Sequence, residues 1–89
     1  MPYIPKEKRA LYDGAIGLLC RAVDHEEEKD RMGALNYIIT RLVVFHPDKE
    51  SYNLWNSRYG MLLACAAEMY RRKVAPYENK KLEEHGDVY

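Results

Sequence analysis

The sequence predicts an all-α protein: a three-helix bundle with a short C-terminal helix, associating as an oligomer. Three observations carry this. Apolar residues recur at helical rather than alternating spacing in three long segments, Pro47 and Pro76 punctuate those segments, and 89 residues allow one compact core but not two. The reading is one helical domain over residues 1–89, with residues 1–12 an extended N-terminal arm and residues 85–89 a C-terminal tail. Chains this small bury a modest share of their surface alone, so association is expected from size.

Pro2 and Pro5 hold the first residues extended, and residues 6–9 add no more than a short turn. Asp13 is the expected N-cap of the first helix. Beyond it Ala15, Ile16, Leu18, Leu19, Ala22 and Val23 form an apolar arc wider than one neighbour requires, with Gly14, Gly17, Arg21 and Asp24 opposite. Residues 25–33, HEEEKDRMG, are a charged connection in which the three glutamates either extend that helix or form a loop.

The second helix carries Leu35, Ile38, Ile39, Leu42, Val43 and Phe45 on one side and stops before Pro47. Its β-branched residues suit a strand, but the spacing 35, 38, 39, 42 follows the 3.6-residue period. Ser51, with Asp48 as the alternative, caps the third and longest helix, which is expected to run to about residue 75. Its apolar face reads Tyr52, Trp55, Tyr59, Leu62, Leu63, Ala66, Met69 and Tyr70, beside a stripe of small residues at Gly60, Ala64 and Ala67. Such a stripe lets a second helix come close. At roughly 1.5 Å per residue the helix spans about 37 Å, longer than its own core needs, which points to a partner chain. Residues 77–84 then form a short helix ended by Gly86, a favourable C′ residue.

Composition narrows function mainly by exclusion. Fourteen basic and fourteen acidic residues leave no net field, so nucleic acid is not an expected partner. No apolar run approaches the ~20 residues needed to span a bilayer, and MPYIPKEKR lacks a signal-peptide core, so the expected location is the cytoplasm with no membrane partner. Cys20 and Cys65 lie in helical patterns without CxxC or ligand-spaced histidines and are expected as buried free thiols. No catalytic constellation, metal site or cofactor motif is evident. Glu27 and Asp30 form one ExxD of the kind used by all-helical nucleotide pyrophosphatases, but the matching ExxE is missing.

Two polar clusters remain as candidate ligand-binding residues. Asn36, Tyr37, Thr40 and Arg41 combine an amide, a phenol, a hydroxyl and a guanidinium on the second helix, a set able to hold a phosphate, nucleotide or carboxylate. Arg71, Arg72, Tyr77 and Glu78, near the end of the third helix, resemble an anion or nucleobase platform. Both clusters also have a structural reading: Glu68 stands one turn before Arg71 and Arg72 and pairs with them, while Asn36 and Thr40 bond nearby backbone.

PYIPK, LNYIITRL and YRRKVAPYE followed by GDVY together resemble an uncharacterised family of short phage, archaeal and bacterial proteins, and the resemblance covers nearly the whole chain. It names no activity. It implies that the polar residues of both clusters matter, whether as one site or as a polar network that fixes the fold. Ala34 stands where that pattern has an acidic residue and His85 where it has asparagine, so any role at those two positions is in doubt in this chain. The expected function is a small non-enzymatic helical protein acting through homodimers or higher homo-oligomers and through protein or ligand binding. The alternative is binding of a small anion or nucleotide, as a phage nucleotide-signal sponge or a degenerate nucleotide phosphohydrolase.

Overall fold

In the computed structural model residues 4–89 are described, and all their regular structure is helical. Helix α1 spans Lys6–His25, a 3₁₀ turn covers Glu28–Asp30, and α2 spans Arg31–Val43. Helix α3 spans Tyr52–Met69, a π-helical turn covers Tyr70–Val74, and α4 spans Ala75–His85. The chain is all-α, with two units, Met1–Asp48 and Lys49–Tyr89, each described here by itself.

In the first unit α1 starts seven residues before the expected cap at Asp13, so residues 6–12 of the expected extended arm are helical instead. Pro5 takes the N-cap place with φ −57° and ψ 147°, and its carbonyl accepts the Lys8 N–H at 3.0 Å. Proline's fixed φ suits the residue entering a helix, and KEKRAL beyond it consists of strong helix formers. Gly14 and Gly17 are absorbed within the helix. The expectation at Pro2 lies outside the described residues.

The connection to α2 is tight because one side chain clips it. Arg31 donates from Nε to the Glu26 carbonyl at 3.3 Å and from Nη2 to the Asp24 carbonyl at 3.4 Å. These carbonyls belong to the end of α1, where the helix dipole favours a cation. The 3₁₀ turn resolves the open question about the glutamates: Glu26 and Glu27 leave the helix with ψ near 149°, and Glu28 starts the turn. Leu19, Val23 and Ile38 mark the seam of the α1–α2 hairpin, flanked by two open depressions.

The second unit is helical from Tyr52 to His85 without interruption. Ser51, at φ −160° and ψ 162°, accepts the Leu54 N–H on its Oγ at 3.0 Å, which makes it the cap rather than Asp48. The expected break before Pro76 does not occur. Ala75 N–H bonds back five residues to the Tyr70 carbonyl, and this wider turn accommodates a proline ring that would collide with the carbonyl four residues earlier in an α-helix. Gly86 then ends α4 at φ +85°, the left-handed region that glycine enters without a Cβ penalty.

Neither unit has an interior of its own. A two-helix hairpin and a single rod can each cover only one side of their apolar residues, and no described residue is buried. Leu18 is 63% exposed, Leu63 54% and Met69 59%. Cys20 and Cys65 are exposed too, against the expectation of buried thiols. A Cβ placed at Gly60 would meet no atom within 4 Å, so the small-residue stripe is not in close contact there.

Candidate functional site

The eight candidate residues fall into two groups of four, one in each unit, and each group is assembled by helical spacing alone. On α2, Asn36 and Thr40 stand one turn apart, with the Thr40 hydroxyl donating to Asn36 Oδ1 at 3.4 Å, a long bond. Tyr37 and Arg41 form the adjacent row. The Arg41 guanidinium lies over the Phe45 ring, 5.3 Å from its centroid, with no carboxylate partner among the described residues. Tyr37 borders a shallow depression of about 360 Å³ together with Leu19, Ala22, Val23, Glu26, Ala34 and Ile38. The hollow therefore combines the Tyr37 phenol with the Glu26 carboxylate, and Arg41 is not among its lining residues.

In the second unit the arginines are already engaged. Glu68 receives Arg71 in a two-pronged pair, from Nε at 3.0 Å and from Nη2 to the second oxygen at 3.1 Å, and also approaches Arg72 Nε at 3.4 Å. One carboxylate thus holds both guanidinium groups, at i,i+3 and i,i+4 across the start of the π turn. Tyr70 donates its phenol to Glu78 Oε2 at 3.3 Å, a contact spanning eight residues. The Lys81 ammonium lies 5.5 Å from the Tyr77 ring centroid. Glu68 and Glu78 are therefore committed to neighbours along the same helix, and the single Glu68 carboxylate offsets one of the two guanidinium charges it holds.

Tyr77 and Glu78 also line an open groove of about 540 Å³ between α4 and the residues after Gly86, with Leu82 and Val88. Asp87 Oδ1 accepts the Tyr89 N–H at 2.8 Å and shapes that return. Among the described residues no group of three or more His, Cys, Asp or Glu side chains converges as a metal set would, and no helix is long and apolar enough to cross a membrane.

Sequence reasoning missed Arg31, whose signal was a cation a few residues past a helix end, and missed the groove, which depends on the chain reversing at Gly86. It did find the ion pairs around Glu68, because they follow from spacing on one helix.

The match to a family model covers residues 1–88. The chain belongs to that family, which is described as a domain of unknown function (DUF6899). No curated protein and no solved structure matches the chain. Membership is consistent with an uncharacterised family and assigns no activity to either group of residues.

Proposed function

We propose that this is a small non-enzymatic helical protein that works as a homo-oligomer, with protein or ligand binding as its activity. One observation carries the reading. Residues 61–67, MLLACAA, contain no polar side chain, and at 100° per residue these seven positions leave no gap wider than about 60° around α3. A helix that is apolar all round is one whose whole circumference is covered in the functional state. One neighbouring helix at the usual 8–10 Å between axes screens only part of such a circumference. A second copy supplies further cover for it.

Light scattering coupled to size exclusion at micromolar chain concentration tests this. An assembly at a multiple of 10.5 kDa is expected. A single 10.5 kDa species would refute it.

A second reading is binding of a small anion or nucleotide at α2, where the Arg41 guanidinium lies over Phe45 and Tyr37 lines a hollow that Glu26 also borders, so an anion there is held by Arg41 outside the hollow rather than within it. It is weaker at Arg71 and Arg72, which a ligand would have to take from Glu68. A panel of mono- and cyclic nucleotides with and without Mg²⁺ separates the two. Ligand at a hundredfold over its dissociation constant stabilises by about 2.7 kcal/mol, and a flat thermal-shift panel removes the nucleotide reading.

A further inference from the structure

We infer that Met61, Cys65 and Met69, sulfur-bearing side chains at successive four-residue intervals on α3, form a binding site for a soft monovalent metal ion of the Cu(I) class. One contact between two of the sulfurs carries the inference. The Cys65 thiol donates to Met61 Sδ at 3.8 Å. Two sulfurs each about 2.3 Å from one ion stand about 3.8 Å apart when the bonds meet at about 110°, so this pair is already spaced to share an ion. Met69 supplies the third donor. It precedes the π turn, so the three positions keep the α-helical interval and span only about 80° of the helix circumference. A long side chain on a helix leans back toward the N-terminus, which aims the Met69 thioether at the Cys65 turn, and its three rotatable bonds let the sulfur close on an ion.

The donor set selects the ion. Zinc takes four ligands from Cys, His, Asp and Glu, and among the described residues no three such side chains converge, whereas a thiolate with thioethers suits Cu(I). Glu68 adds no hard oxygen, because Arg71 and Arg72 already hold its carboxylate. Charge agrees with this choice. On binding, the Cys65 thiol releases its proton to water and becomes a thiolate while both thioethers stay neutral, so a monovalent ion leaves the site uncharged and no electron is transferred. A divalent ion would leave a net positive charge among Leu62, Leu63, Ala64 and Ala66, where it is costly. All three donors come from one helix, so the site stands whatever packs against α3. Cys20 provides the contrast within the same chain: Ile16 and Asp24 occupy the places four residues to either side, and its thiol has no thioether at that interval.

Anaerobic titration of the reduced full chain with Cu(I), buffered by a chromogenic Cu(I) chelator, tests the site. Wild type and Cys20→Ser are expected to take one Cu(I) per chain from the chelator with equal affinity. Cys65→Ser is expected to lose that uptake. Met61→Leu and Met69→Leu, which keep the apolar bulk, are expected to weaken it at least tenfold with helicity retained by circular dichroism. Should a variant lose helicity, the native chain decides: bound Cu(I) is expected to protect Cys65 from alkylation and to leave Cys20 reactive, as read by mass spectrometry of the digested protein. A wild type that takes up no Cu(I) would overturn the site. So would unchanged affinity in a helical Cys65→Ser, Met61→Leu or Met69→Leu, loss of uptake in a helical Cys20→Ser, or alkylation that Cu(I) slows equally at both cysteines or at neither.

Discussion

Removing the Ser51 hydroxyl isolates a single interaction whose size is well bounded. Ser51→Ala deletes the 3.0 Å bond to the Leu54 N–H and leaves one of the four unpaired donors at the start of α3 without its side-chain partner. The typical cost is about 1 kcal/mol, within a range of roughly 0.5–2. Because the site is exposed, water takes up part of the loss, which favours the centre of that range over its upper end. The first turn also carries Trp55, whose indole N–H reaches Glu50 Oε1 at 3.1 Å, so fraying there releases a partly covered aromatic ring. For a domain of this size about 1 kcal/mol corresponds to a fall in Tm of roughly 4–8 °C. Thermal unfolding must be compared at one chain concentration, because association makes Tm depend on concentration. Ser51→Asp keeps an acceptor and adds a charge that suits the helix N-terminus, and is expected to hold or slightly raise Tm. A shift below about 1 °C for Ser51→Ala, or an equal fall for Ser51→Asp, would refute the cap as a source of stability.

Further outcomes follow from the same geometry. Arg31→Ala removes both bonds to the end of α1 and should lower stability by about 1 kcal/mol in denaturant titration, while Arg31→Lys, with no planar fork, should recover less than half of it. Gly86→Ala places a Cβ at φ +85° and should cost about 1 kcal/mol, seen as faster amide exchange over the last turn of α4; unchanged exchange would deny the strain. Glu68→Gln should change stability by less than about 1 kcal/mol, since Arg71 and Arg72 are mostly exposed, yet should raise affinity for inorganic phosphate if those arginines are held in check by Glu68. Cys65 lies in the all-round apolar segment, so its modification by a thiol reagent should slow as chain concentration rises through the association range. A rate independent of concentration would leave that segment bare in solution.

Much of the helical layout was legible because it rests on local rules. The 3.6-residue spacing of Leu35, Ile38, Ile39 and Leu42 favoured a helix over a strand, Ser51 stood where a cap was needed, and Gly86 followed the last turn where a left-handed residue was required. The Glu68 pairs were legible for the same reason. The start of α1 was not, because Asp13 followed by Gly14 has the form of a cap and only the continuous helix from Lys6 shows it unused. The open thiols were not legible either, since apolar neighbours in sequence predict burial only where a second surface covers them.

By itself, then, the order of residues determined where helices form, where Ser51 opens one and Gly86 closes another, and which charges pair along a helix, since each of these is settled within one or two turns of backbone. Only the tertiary structure decided that the helix passes through Pro76. The rule that proline stops a helix assumes the α register, and the Ala75 bond to the Tyr70 carbonyl replaces that register with a wider turn in which the ring fits. The same turn decided which apolar residues of α4 stand in line with those of α3, because a one-residue insertion rotates everything beyond it by about 100°.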